Sequence, residues 1–377
     1  MREDALAASR GLKPTPGNLE KIGGEFGVEV ARWAFGQWEW RSRAKAKFAK
    51  AAEMLFDREA LEMASHEEVA AFHASLFPPG VKVADLTCGI GADTIALARD
   101  HQAVGFEIDS DRADYARHNL SVHGAAALVL CGDSLGAPVD WEYAFADPAR
   151  RTGEAGRGRR VSRDGSAYSP SVDSLLAHFQ GLKGWIVKLS PLLSDSVLAG
   201  VSATQIYVSH QGECKEVLCT NLPLPGLREA GVWAYQIESG AWLGGALLAS
   251  TEKGCGSVYE ADPAAIRSHG LDALCAQLGL EHLGDSNGYL VGKSGMQSPW
   301  LKEFEVIADV GNDERRLKEL IRDIGPKNLI VKQRGCDLDP EKVARKLHPK
   351  SSERGLALHV LAYPVGKSIR YVLARVK

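Results

Sequence analysis

Along the first 78 residues apolar side chains recur at helical spacing: Val30, Ala34 and Phe35, then Phe48, Ala52, Leu55 and Phe56, then Leu61, Val69, Phe72 and Leu76. This spacing predicts a helical segment over 1–78. Pro78-Pro79-Gly80 ends it, because proline has no N–H to donate and glycine resists helix. From Val81 the period changes to short apolar runs, read as strands at Val81–Leu86, Ala103–Glu107, Ala127–Cys131 and Tyr143–Ala146. Helical stretches at Asp93–Arg99 and Arg112–His123 lie between them. After a long loop come helix Val172–Leu182, strand Gly184–Leu189, helix Pro191–Leu198, and strands Gln205–Ser209 and Glu216–Asn221.

Strands alternating with helices imply βαβ units and a mostly parallel sheet covered on both faces. The last two strands are separated only by Gln211-Gly212-Glu213, too short for a crossover, and must be antiparallel neighbours. Residues 222–250 read as connecting strands bearing Gly and Trp. A second pattern follows: strand Phe304–Val310, helix Glu314–Ile324, strand Asn328–Lys332, helix Pro340–Leu347, and strands Ala357–Ala362 and Ile369–Val376. The expected organisation is a helical segment over 1–78, an α/β domain over 79–250 and a small α+β domain over 251–377.

A length of 377 residues suits two or three domains. The hydrophobic share of 45% and charged share of 25% are those of a globular chain. A net charge of −3 leaves no global basic signature for nucleic acid, so any such binding must come from local patches. The cysteines at 88, 131, 214, 219, 255, 275 and 336 include no CxxC pair, and their odd number suits a reducing compartment. No metal site is expected. The N-terminus lacks the basic-then-apolar order of a signal peptide, and no apolar run approaches the roughly 20 residues of a membrane helix. A cytoplasmic protein without membrane contact is expected.

The densest chemistry lies at Asp85-Leu86-Thr87-Cys88-Gly89-Ile90-Gly91-Ala92-Asp93, where a strand ends and a helix begins. Gly89 and Gly91 permit left-handed backbone and close approach of a ligand. The helix N-terminus beyond them suits an anion. Asp85, ahead of the turn, can accept from an ammonium. Glu107 ends the next strand about 20 residues on, where an acid binds ribose hydroxyls in this type of sheet. Asp109 is better placed to cap the following helix. One strand later Cys131-Gly132-Asp133-Ser134 puts an acid at the tip, suited to an adenine amino group. Carboxylate, ammonium, ribose and adenine together describe S-adenosylmethionine (SAM). The cofactor set is therefore Asp85, Thr87, Cys88, Gly89, Gly91, Asp93, Glu107, Asp133 and Ser134. The turn lacks the third-glycine spacing of a nicotinamide site.

The fourth strand runs into Asp147-Pro148-Ala149-Arg150-Arg151, at the position where exocyclic-amine methyltransferases carry [D/N/S]-P-P-[Y/F/W]. Asp147 fits the role of accepting from the target amine. Arg150 replaces the stacking aromatic, and an arginine can stack on a base or hold phosphate. The Arg- and Gly-rich stretch 150–163, with Arg151 at its start, favours a substrate bearing phosphate. Tyr168 could supply the missing aromatic, and Lys188 at the next strand tip points to the same edge, with helix capping or a buried ion pair as alternatives. A covalent route like that of the uridine-C5 RNA methyltransferases is not supported, because His210 follows Val208-Ser209 and Cys214 lies past the turn. Trp33, Trp38 and Trp40 interleave with Arg32, Arg41, Arg43, Lys45 and Lys47, which reads either as a stacking surface for single-stranded RNA or as an amphipathic helix. The C-terminal Lys332, Arg334, Lys342, Arg345, Lys346 and Lys350 form a possible basic face or an ordinary solvated one.

With these residues in view, the chain resembles the bacterial class I SAM-dependent methyltransferases that carry a C-terminal THUMP-like domain. The matching runs are Leu61-Glu62-Met63-Ala64-Ser65, Ala84 to Asp93, Asp147-Pro148-Ala149-Arg150-Arg151-Thr152 and Tyr168-Ser169-Pro170. Val187-Lys188-Leu189-Ser190-Pro191, Gly212-Glu213-Cys214-Lys215-Glu216 and Val331-Lys332-Gln333-Arg334-Gly335 match as well. The resemblance implies a Rossmann-like class I sheet, mostly parallel with an antiparallel last strand, and SAM as donor. It implies RNA as substrate, and Asp147 at the fourth strand end adds a nitrogen of a base as the expected acceptor. Methylation of a small phosphorylated or acidic metabolite, or non-catalytic SAM or RNA binding, are the rival expectations.

Overall fold

The computed structural model describes residues 1–137, 140–150, 168–226, 229–244, 257–348 and 357–377. It divides into two units, Met1–Ala203 with Leu218–Ala230, and Thr204–Val217 with Gly231–Lys377.

The first unit opens with helices α1 (Arg2–Ala8), α2 (Pro16–Phe26), α3 (Val28–Ala44), α4 (Arg58–Met63) and α5 (Glu67–Ser75). Thr15 caps α2 by accepting from the N–H of Asn18, with Pro16 at the first helical position, where its missing N–H costs nothing. Gly27, at φ 93°, breaks α2 from α3. The helical periodicity fails over residues 45–57, which are turns. Side chains of neighbouring helices satisfy that backbone. Gln37 both donates to the carbonyl of Phe56 and accepts its N–H, Arg41 donates to the carbonyls of Glu53 and Met54, and Asn119 accepts from Leu55. Of the positions that set the spacing, Phe48 and Phe56 are buried and Leu55 is half-buried, while Ala52 is exposed.

The sheet follows as β1 (Lys82–Asp85), α6 (Ala92–Asp100), β2 (Gln102–Glu107), α7 (Ser110–His123), β3 (Leu128–Cys131) and β4 (Tyr143–Ala146). Two short strands, β5 (Ala149–Arg150) and β6 (Tyr168–Ser169), pair antiparallel before α8 (Val172–His178), β7 (Gly184–Leu189) and α9 (Asp195–Val201). Helix α8 stops short of the expected Leu182, ahead of Gly181 at φ 91°. Helix α9 starts later than the expected Pro191, because Ser190 and Leu193 close a turn first. β1 pairs parallel with β2 and β4, β2 with β3, and β4 with β7. The chain thus turns back at β1, which lies between β2 and β4, and the carboxyl ends of β1 and β4 flank the switch point where such sheets bind ligands.

β8 (Thr204–His210) and β9 (Glu213–Thr220) are joined by Gln211 and Gly212, at φ 54° and 72°. So short a link admits only an antiparallel pair. The strand order is β3-β2-β1-β4-β7-β9-β8, with β9 completing the first unit through Leu218–Thr220. This is the Rossmann-like sheet with an antiparallel last strand that the sequence led us to expect.

In the second unit β10 (Val232–Gln236) pairs parallel with β8 and antiparallel with β11 (Ala241–Gly244). The α+β part comprises β12 (Ser257–Ala261), α10 (Pro263–Arg267), α11 (Leu271–Leu278), β13 (Glu281–His282), β14 (Tyr289–Gly292), β15 (Leu301–Gly311), α12 (Glu314–Ile324), β16 (Asn328–Gln333), α13 (Pro340–Leu347), β17 (Ala357–Val365) and β18 (Ser368–Val376). Its sheet runs β13-β14-β12-β15-β18-β17-β16. Leu317 and Ile321 of α12 and Leu347 of α13 pack on Leu329, Val331, Val360 and Leu373. The sequence pattern predicted no element between 251 and 303; of those found there, β12 is buried at every position and so shows no alternation. Among the described residues no helix is long and apolar enough to cross a membrane.

Candidate functional site

The β1–α6 loop is built from its glycines outward. Gly91 stands at φ 90° as the N-cap of α6, and a Cβ there would come within 3.4 Å of Ala116 on α7. Gly89, at φ 55°, would carry a Cβ with no atom within 4 Å, so its outer side is open to a ligand. Asp85 is fully buried and holds the loop together: its carboxylate accepts from the N–H of Thr87 at 3.2 Å and from the Thr94 hydroxyl at 2.6 Å. Burial, reinforced by the charge of Asp93, pushes the Asp85 carboxyl up to about 8 against those hydrogen bonds. Cys88 is buried, its N–H donates to the carbonyl of Phe106, and burial pushes its thiol well up. Its side chain packs against Gly105, where a Cβ would come within 3.1 Å of it.

Glu107 and Asp133 follow at the same edge, because β1, β2 and β3 run parallel. Half-buried Glu107 accepts from the N–H of Asp109 at 2.8 Å, and Asp109 caps α7 through the N–H of Arg112, as its position suggested. Exposed Asp133 accepts from Leu135 at 3.0 Å, beside buried Ser134.

Asp147 follows β4, next to β1. Its N–H donates to the Thr87 hydroxyl at 2.7 Å, which ties the fourth strand tip to the glycine loop. Its carboxylate pairs with the Lys188 ammonium of β7 at 2.7 Å. Lys188 also donates to Ser65 at 3.1 Å, Ser65 donates to Asp93 at 2.9 Å, and the other Asp93 oxygen meets His73 Nδ1 at 2.7 Å. His73 stacks on Phe145 of β4 with centroids 5.2 Å apart. Burial raises the Asp93 carboxyl, but His73, Lys188 and Ser65 outweigh it, and the net shift is downward. Asp93 is thus ionised, and His73 Nδ1 is the donor, since a carboxylate only accepts.

Three comparisons bear on this arrangement. Residues 301–373 match the family of THUMP domain-like sequences. A crystal structure of a candidate methyltransferase from Porphyromonas gingivalis W83 shares the fold, with a TM-score of 0.72 at 19% identity over 99% of this chain and 98% of that one. Uncharacterized S-adenosylmethionine-dependent methyltransferases from two strains of Mycobacterium tuberculosis are 30% identical over 343 residues, 86% of this chain and 89% of theirs. The chain belongs to the class I SAM-dependent methyltransferases with a THUMP-like domain.

SAM is the cofactor of the methyltransferase, and its residues fit that group. The open side of Gly89 and the unpaired N–H groups opening α6 suit the methionine carboxylate. Asp93, expected among the cofactor ligands, spends both carboxylate oxygens on Ser65 and His73, so its backbone N–H is what it offers the loop. Tyr168, expected to stack on a substrate, is corrected: it is 3% exposed and its hydroxyl accepts from the N–H of Ser190, which makes it a packing residue. The backbone of Arg150 pairs with Tyr168 across β5 and β6, whereas Arg151 and the rest of the Arg-rich stretch to 163 lie outside the described residues. For Lys188 the ion-pair alternative is the one found.

The methyltransferase's tryptophans are structural. Trp33 donates to the Tyr115 hydroxyl and Trp38 to Ser9, while Arg2, Arg41 and Arg43 lie over the rings of Trp33, Trp38 and Trp40. Lys47 donates to the carbonyls of Leu61, Glu62 and Ala64. In the C-terminal part Lys332 and Arg334 both pair with Glu260, and Lys350 lies outside the described residues. Sequence reasoning missed His73 altogether and gave Ser65 no chemistry. A histidine amid the apolar residues of α5 reads as core, and only the fold carries it to Asp93. Among the described residues no cluster of His, Cys, Asp or Glu could hold a metal ion.

Proposed function

We propose that the methyltransferase modifies a nitrogen of an RNA base, with Asp147 orienting the acceptor. The observation that carries this reading is the Asp147 carboxylate, partly exposed at the tip of β4, hydrogen-bonded through its N–H to the cofactor loop and ion-paired with Lys188. SAM supplies an electrophilic methyl group. Asp147 accepts an N–H of the target amine and so directs its lone pair toward that methyl; catalysis is then mainly alignment of donor and acceptor. Asp85, Thr87, Cys88, Gly89, Gly91 and Asp93 form the loop under the donor, Glu107 holds its ribose, and Asp133 with Ser134 its adenine. Arg150 and Arg151 hold substrate phosphate. Residues 1–78 form a helical segment, 79–250 the transferase domain and 251–377 the THUMP-like domain, in a cytoplasmic protein. The THUMP-like match and the arginine-rich stretch after Asp147 support RNA over a small metabolite.

The test is transfer of tritiated methyl from SAM into total RNA from cells lacking the protein, followed by nucleoside mass spectrometry. Label in a base supports the reading; label only in a metabolite extract replaces it with the small-substrate alternative. Asp147→Ala should leave SAM affinity nearly intact and abolish turnover. Loss of SAM binding would instead move Asp147 to the cofactor side.

A further inference from the structure

His73, Asp93, Ser65, Lys188 and Asp147 form one hydrogen-bonded chain whose members come from five places in the first unit. His73 is on α5, Ser65 lies between α4 and α5, Asp93 is in the first turn of α6, Lys188 is on β7, and Asp147 follows β4. Its buried end is His73, with side-chain exposure of 1%, and its open end is Asp147, with 28%. The direction of the bonds is fixed by chemistry. An ammonium only donates, so Ser65 accepts from Lys188 and spends its own proton on Asp93. The single hydroxyl therefore joins a buried anion to a buried cation, and the cation meets the carboxylate at the open end. Charges alternate along this path, which a low-dielectric interior tolerates only when each is paired.

We propose that Ser65 and His73, both delivered by the N-terminal helical segment, are positioning residues for methyl transfer: His73 holds Asp93, Asp93 orients the Ser65 hydroxyl, that hydroxyl fixes the Lys188 ammonium, and Lys188 fixes the orientation of Asp147. The inference rests on Asp147 as the group that orients the acceptor. It makes the helical segment part of the reacting end. Because Asp93 stands two residues after Gly91, it also links the seat of the cofactor to the aim of Asp147.

The test uses the full chain with Ser65→Ala, which removes both bonds, and Ser65→Thr, which keeps both. In protein labelled with ¹⁵N-lysine, the Lys188 ammonium resonance, assigned by its loss in Lys188→Met, should move or vanish in Ser65→Ala and return in Ser65→Thr. SAM affinity by calorimetry should stay near the wild-type value. With total RNA as acceptor, kcat should fall about tenfold to a hundredfold with little change in apparent KM, as expected when a reacting group is misaligned, and Ser65→Thr should recover most of it. If Ser65→Ala does not fold, Ser65→Cys replaces it, keeping the volume with a weak donor. A Lys188 resonance unmoved by loss of the hydroxyl, or an unchanged kcat on RNA that the wild type methylates, overturns the proposal. Failure of the wild type on RNA refutes only the substrate reading, and the Lys188 resonance then decides the chain by itself.

Discussion

Replacing Asp85 by Asn should make the SAM-free protein more stable at pH 8, and by much less at pH 5. Asp85 is fully buried, and burial with the charge of Asp93 raises its carboxyl to about 8, from an ordinary value of 3.8. The folded protein therefore keeps the proton between about pH 4 and 8 while the unfolded chain releases it. With the unfolded state holding fewer protons, stability falls as pH rises through this window, and levels off above the folded value. At about 1.4 kcal/mol per pH unit, the interval from pH 5 to pH 8 takes away about 4 kcal/mol. Asparagine has the same shape and no charge to bury. Its carbonyl can accept the Thr87 N–H, and its amide can donate to the Thr94 hydroxyl after that hydroxyl rotates. Urea unfolding of both proteins at the two pH values measures the effect as a difference of differences, in which the titration of other groups cancels. An Asp85→Asn protein that loses the same stability as the wild type between pH 5 and pH 8 would refute the reasoning, because the carboxyl would then carry no proton into the fold.

Gly89→Ala places a side chain at φ 55°, costing about 1–2 kcal/mol, and puts a methyl on the open side of the loop; the rise in Tm on adding SAM should shrink or disappear. Iodoacetamide applied to the native protein should label exposed Cys131 and spare buried Cys88, as peptide mass spectrometry would report. Trp33→Phe removes the hydrogen bond to Tyr115 and should cost about 1 kcal/mol of stability. RNA methylation should stay at the wild-type rate; a selective loss of RNA binding would restore the stacking role for this tryptophan.

The sheet was legible because its signal is local. Each of β1, β2, β3 and β4 is a short apolar run bounded by a helix or a turn, and the link at Gln211–Gly212 alone dictates an antiparallel pair. The edge holding Asp85, Glu107, Asp133 and Asp147 follows, since parallel strands share their carboxyl end. Other features were not legible, among them three with separate physical reasons. Over 45–57 a helical spacing of apolar residues arises from turns whose backbone is satisfied by side chains distant in sequence, such as Asn119 with Leu55. β12 is buried on both faces and loses the alternation that marks a strand. His73 acquires its role only by packing beside Asp93, 20 residues on, and nothing local distinguishes it from a core histidine.

All seven residues of β8, Thr204–His210, are buried, and β10 pairs along their length from Gln205 to Ser209. That pairing also governs what happens when the gene is shortened. A chain stopped at residue 230 still contains every segment of the first unit, yet it carries Thr204–Val217 without the strand that covers β8. The exposed edge, with Ile206, Tyr207 and Val208 at its centre, would be free to recruit the same edge of another molecule. Shortened proteins of this kind should therefore collect in inclusion bodies. A nonsense mutation in the C-terminal half would be felt as lost solubility before it is felt as lost chemistry.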